Sequence, residues 1–159
     1  MKIFTVVTIG AVALAALACG DDDGTGPKQV PLAGMRIINA VADTMGQDIR
    51  FVDVAWNAFL GVGFRSTNPG AGYAPVPAGD RHIKVFLSPG SDRSPGVVST
   101  VLADTTVSLE EGKEYTFFHV GFARAGSTPA RRVIVTEDTY PVPPAGSIAV
   151  RFVNAGAGL

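Results

Sequence analysis

From residue 35 to residue 137 the apolar residues come in short runs, broken every few positions by turns that carry glycine or proline. No run sustains a 3.6-residue period. That punctuation constrains the chain more than any other feature, because it suits short strands and leaves little room for helices. The clearest run is 82–87 (HIKVFL), where Ile83, Val85 and Leu87 share one parity and His82, Lys84 and Phe86 the other. Strands are also expected at 35–41 (MRIINAV), 49–55 (IRFVDVA) and 59–65 (FLGVGFR), the last loosened by two glycines. A short run at 72–76 leads into a Pro77-Ala78-Gly79-Asp80 turn. Residues 88–96 (SPGSDRSPG) read as a loop, and 97–109 as one long strand or two, with Val101, Ala103, Thr105, Val107 and Leu109 on one parity. Residues 114–123 (EYTFFHVGFA) are apolar on both parities, as in a central strand, and 132–137 (RVIVTE) follow after a turn. After a proline-rich connection, 147–154 (SIAVRFVN) form a last candidate.

Seven to nine short strands with brief turns between them define an all-β chain. The expected fold is an antiparallel Ig-like or transthyretin-like β-sandwich, preceded by a cleaved signal peptide. The spacing Leu109-x-x-Gly112-x-x-Tyr115 adds a local expectation. A tyrosine entering a strand just after such a turn can return its hydroxyl to nearby backbone; a merely buried aromatic at the strand start is the equal alternative.

The first eighteen residues are of a different kind. Lys2 supplies a positive start, 3–17 an apolar core, and Ala16-Leu17-Ala18 a small-residue cleavage context, the three parts of a secretory signal. The apolar stretch stops after sixteen residues, short of the roughly 20 that a spanning helix needs. It ends on Cys19, the only cysteine, followed by Gly20 and three aspartates. A cysteine at that junction reads as the lipid-carrying residue of a bacterial lipoprotein, bearing palmitate-type acyl chains. Lipidation also accounts for an odd cysteine in an exported chain, where a free thiol is a liability. Cleavage by ordinary signal peptidase, releasing a secreted protein, is the competing outcome. Gly20 rather than aspartate after the cysteine favours the outer membrane, facing the periplasm or cell surface, over inner-membrane retention.

The organisation expected is therefore a signal peptide at 1–18, an acylated Cys19 with a flexible spacer at 19–34, and a sandwich domain at 35–146. Residues 21–32 (DDDGTGPKQVPL) lack the spaced ligands and closing glutamate of a calcium loop, so a solvated tether is the better reading. Without Lys2 the chain carries 12 basic against 14 acidic side chains, a net charge of −2. Such a balance gives no footprint for nucleic acid and no polybasic membrane patch. Attachment to the membrane would rest on the acyl chains of Cys19.

Residues 35–42 (MRIINAVA) and 150–157 (VRFVNAGA) align at a constant offset of 115, with four identities in eight positions. If this is a true repeat, 147–159 are the first strand of a truncated second domain; chance similarity between two short strands is the alternative. A strand of that kind must pair with the existing sheet, bind another chain or fray.

Together, R-I-I-N-A at 36–40, I-R-F-V-D-V at 49–54, Y-A-P-V-P-A-G-D-R-H-I-K-V at 73–85 and V-S-L-E-E-G-K-E-Y-T-F at 107–117 resemble a bacterial family catalogued as domain of unknown function 4397. The resemblance covers about residues 35–139. It implies an exported or lipid-anchored envelope protein, a class often built of two tandem copies. Ala42-Asp43-Thr44-Met45 replace the short Ser/Pro/Asp turn that usually follows the family's first strand. The family carries no established catalytic residues, so none transfers.

The search for chemistry finds no catalytic, cofactor or metal site. There is no G-x-S-x-G elbow, no H-E-x-x-H pattern and no P-loop. His82 and His119 are the only imidazoles, and a metal site would need them to converge with Asp53 or Asp80. Two strand histidines, packed or solvated separately, are the plainer expectation. Gly61-Val62-Gly63 precedes no helix and so makes no phosphate cradle. Trp56, Phe59, Phe64 and Tyr73 are expected in the core; the alternative is an exposed patch that binds carbohydrate or protein by stacking. The functional expectation is a non-catalytic, lipid-anchored envelope module without cofactors, touching an envelope protein or polysaccharide. An envelope hydrolase or metal-dependent enzyme with a loop-borne site is the alternative.

Overall fold

The computed structural model describes residues 29–90, 96 and 99–156. The leader, Cys19, most of the spacer and much of the 88–96 loop lie outside the described residues. Nine strands follow one another: β1 Leu32–Val41, β2 Gln47–Phe51, β3 Phe59–Val62, β4 Ser66–Asn68, β5 Ala74–Pro77, β6 Gly79–Leu87, β7 Val101–Leu109, β8 Glu114–Gly121 and β9 Arg132–Glu137. They form two facing sheets. In the first, β4 and β5 share one edge of β1, and β8 and β9 follow on its other side; the second runs β3-β2-β6-β7. Among the described residues no helix is long and apolar enough to cross a membrane.

The sheets meet because alternate residues of each strand are apolar. Met35 and Ile37 on β1 and Phe117 on β8 face Ile49 on β2 and Ile83 and Val85 on β6, all fully buried. Each such side chain contributes roughly 1.5–3 kcal/mol relative to exposure. The inward row read on 82–87 is the observed one. All pairings between named strands are antiparallel except that of β1 with β8, which runs parallel from Gly34↔Glu114 to Val41↔Gly121. Parallel neighbours need a long crossover, and β2 to β7 supply it.

Several boundaries differ from expectation. β1 begins at Leu32, since Leu32, Ala33 and Gly34 already pair with β5; residues 32–34 belong to the sheet and not to the spacer. β6 begins at Gly79, inside the expected turn. In β7 a bulge pairs Val85 with Ala103 but Phe86 with Val101, so Leu102 turns inward and Val101 outward, off the predicted parity. Residues 147–154 join no ladder.

The tyrosine corner is present. Glu110 N–H donates to the Tyr115 hydroxyl at 3.0 Å, while Gly112, at φ +75°, makes the turn that carries the chain from one sheet to the other.

Candidate functional site

The two histidines that a metal site would require are held far apart in role. His119 lies on the inner face of β8 and is fully buried; its Nδ1 stands 2.8 Å from Gln47 Oε1, across the sandwich on β2. The geometry makes Nδ1–H the donor. His119 Nε2 and Gln47 Nε2 are buried with no hydrogen-bond partner among the described residues. Burial, helped by the charge of Arg131, pulls the imidazole down to a pKa of about 4, so it is neutral.

His82 stands on the opposite, outward face of the second sheet. Its Nε2 lies 2.5 Å from Asp104 Oδ1, and Lys84 Nζ lies 3.1 Å from the other oxygen. Asp53 accepts from Arg81 at 3.0 Å and from the His82 backbone N–H, and Asp80 accepts from Ser108. Neither aspartate joins the two imidazoles. No group of three or more His, Cys, Asp or Glu suited to a metal occurs among the described residues.

The aromatic expectation is corrected in part. Phe59 is core, but Trp56 and Phe64 are exposed, because the chain leaves the sheet between β2 and β3 and again after β3. Trp56 Nε1 donates to the Pro75 carbonyl at 3.0 Å, which fixes the indole against β5 at the surface. Tyr73 is half-buried and belongs to a polar cluster that sequence reasoning missed.

That cluster is centred on Asp138, just after β9, whose side chain is wholly shielded from solvent. Oδ2 accepts from Tyr73 Oη at 2.8 Å, from Arg36 Nη2 at 3.3 Å and from Thr116 Oγ1. Oδ1 accepts from Arg151 Nη1 and, at 3.4 Å, from Thr136 Oγ1. Arg36 also donates to Thr116 Oγ1 at 2.9 Å and lies over the Tyr73 ring, 4.8 Å from its centre. Tyr73 spends its proton on Asp138, so Tyr140 is the donor in their 2.5 Å contact.

The electrostatics follow from this packing. Burial alone raises the Asp138 pKa, but the hydrogen bonds from Thr116, Tyr73 and Arg151 and the Arg151 charge outweigh it and hold the carboxylate below its ordinary range. Burial, then donation to the Asp138 carboxylate and its charge, push the Tyr73 phenol well above its ordinary range. Asp138 has no oxygen left for a substrate proton, and Tyr73 stays protonated. Chemically the cluster is a latch.

What the latch holds is the segment 150–156. Arg151 bonds Asp138 and Thr136, and Val153 to Gly156 lie along Phe118, Val120, Ile134 and Arg132 on the outer face of the first sheet. This cover explains why β8 is apolar on both parities. Tyr115, Phe117 and His119 face the core, while Phe118 and Val120 face the segment. The signal available in the sequence was the arginine shared by the aligned segments 35–42 and 150–157, Arg36 and Arg151.

Fold and cluster together define a β-sandwich module whose outer sheet face is covered in part by its own following segment. The family model described as "Domain of unknown function (DUF4397)" matches residues 33–158, and the chain belongs to that family. No curated protein matches the sequence. The match extends past the last strand through the latched segment. In the turn after β1, Asp43 accepts from the backbone N–H of Ala123 at 2.6 Å and of Arg124 at 3.0 Å, tying that turn to the chain just past β8.

Proposed function

We propose that this is a non-catalytic, lipid-anchored module of the bacterial cell envelope, carried on Cys19 at the outer membrane and acting by binding an envelope protein or polysaccharide. The observation that carries the reading is the junction itself: a short charged-then-apolar leader that ends on the chain's single cysteine, followed by an acidic spacer. The domain supports the binding half. Its buried carboxylate is saturated by structural donors, its core histidine is held neutral, and its surface histidine is engaged by Asp104. Trp56, Leu60 and Phe64 stand exposed within nine residues of chain, with the indole pinned by Pro75, and offer faces for stacking on a sugar or on a protein surface.

The test is capture from envelope extracts by the lipid-free chain. A retained envelope protein or polysaccharide, lost when Trp56 and Phe64 are both replaced by serine, is expected. Failure to retain either one, with hydrolytic turnover that disappears in His82→Ala, contradicts the reading.

A further inference from the structure

We infer that the cleft between the end of β1, the β3–β4 turn and Phe122 binds a uronic acid unit of an acidic polysaccharide, with Arg65 taking its carboxylate. The assignment rests on the binding function proposed above, of which it names the polysaccharide.

The first observation is in the backbone. The chain passes from β3 to β4 through a turn at Gly63–Ser66, closed by the Ser66 N–H on the Gly63 carbonyl at 3.1 Å. Arg65 N–H ties this turn to the Asn39 carbonyl of β1 at 2.8 Å. Arg65 itself holds φ at +62°, and no other non-glycine among the described residues has a positive φ. That place in a turn ordinarily goes to glycine, because a Cβ strains it. Strain of this kind clusters where it aims a side chain at a ligand.

The second is the space beside that side chain. Phe64 and Arg65 border a cleft of about 400 Å³ together with Ala40, Ala42, Phe122 and Ala155, inside the ~300–1,000 Å³ range of small-ligand sites. The alanines leave the room, the two phenylalanines give it apolar sides, and Arg65 is the one charged residue that lines it.

The third is the guanidinium. Arg36, Arg50, Arg81 and Arg151 each end on an aspartate, whereas Arg65 meets no carboxylate among the described residues. Asp43, beside Ala42, is already taken by the backbone N–H groups of Ala123 and Arg124.

These features select the ligand. A guanidinium fork suits a planar carboxylate, which it meets with two parallel N–H···O bonds. The Phe64 ring, 45% exposed, suits the C–H face of another ring. A pyranose that bears a carboxylate offers both from one unit.

The probe is trigalacturonate, titrated calorimetrically into the full chain held in detergent, with its full methyl ester as the same sugar without charge. The acid should bind at least about tenfold more tightly than the ester, and Arg65→Met should abolish that difference. Arg65→Gly separates ligand from fold. It should lose the acid as Arg65→Met does, with a urea midpoint no lower than the parent's, since glycine relieves the φ. A lowered midpoint makes Arg65 a structural residue and overturns the assignment. Equal binding of acid and ester, or acid binding that Arg65→Met leaves intact, also overturns it while the broader polysaccharide reading stands. Binding of neither sugar overturns it as well, and capture from envelope extracts then decides the broader reading alone. Displacement of trigalacturonate by hexaglutamate at equal carboxylate concentration gives the cleft to an acidic protein segment and overturns the sugar.

Discussion

Arg36 and Arg151 lie 115 residues apart, yet each donates to a different oxygen of the same carboxylate, that of Asp138. One arginine is on the first strand of the sandwich and the other on the segment that covers its outer face. A single shielded side chain therefore ties the sheet to what lies on it.

Removing that side chain leaves two arginines, two threonines and Tyr73 without their common acceptor. Because the arginines are partly solvated, the loss falls at the low end for a broken buried pair, about 3 kcal/mol for Asp138→Ala. Asp138→Asn retains one acceptor and costs about 1–2 kcal/mol. Urea unfolding measures both, and an alanine variant within about 0.5 kcal/mol of the parent contradicts the latch.

Acid destabilises the fold in two steps. His119 titrates at about 4 when folded and near 6.5 when unfolded, so below 6.5 the unfolded chain binds the extra proton first. The stability from this group is complete above pH 6.5 and is lost as the pH falls toward 4, a change of about 3 kcal/mol. Asp138, whose pKa is lowered by folding, keeps its contribution above the ordinary carboxylate range and loses it at still lower pH. Urea midpoints between pH 7.5 and 4.5 should slope downward, and His119→Gln should flatten the slope. An equal slope in that variant contradicts the assignment to His119.

Tyr115→Phe deletes the hydroxyl that receives the Glu110 N–H and leaves the packing of the ring in place. A loss of about 1 kcal/mol is expected, seen as a lower thermal midpoint with unchanged far-UV signal. No change in midpoint argues that the corner is only a packed aromatic.

Gly121 ends β8 at φ +96°, and an added Cβ would stand 2.5 Å from the Ala130 carbonyl oxygen. The crowding atom is backbone, so no side chain can move aside. Gly121→Ala should cost at least about 2 kcal/mol by denaturant titration, and a smaller cost means that the 129–131 strap yields.

Where an element depends on its own neighbours, the sequence made it legible. The alternation of 82–87 and the turn before Tyr115 carry their structural meaning within a few residues, and both stand as read. Ser66–Asn68 is too short and polar for any period to show, and it is a strand only because β1 offers it an edge. The bulge at Leu102 and the exposure of Trp56 and Phe64 depend on how neighbouring strands register and end. The Asp138 cluster was the least legible part. Its partners come from positions 36, 73, 116, 136 and 151, and only the folded sheet and the segment across it bring them together. The double parity of β8 fits its place between β1 and β9, inside the sheet; the segment that lies on its outer side is not legible from the strand itself.

The membrane anchor is the most exposed part of the account, and one mass settles it. The N-terminal peptide of the protein recovered from the membrane fraction of its source cells should begin at Cys19 and carry a diacylglyceryl group on the thiol, with or without an amide-linked acyl chain. An N-terminal peptide with an unmodified Cys19, or one that still begins at Met1, contradicts lipid anchoring and the envelope function proposed on it.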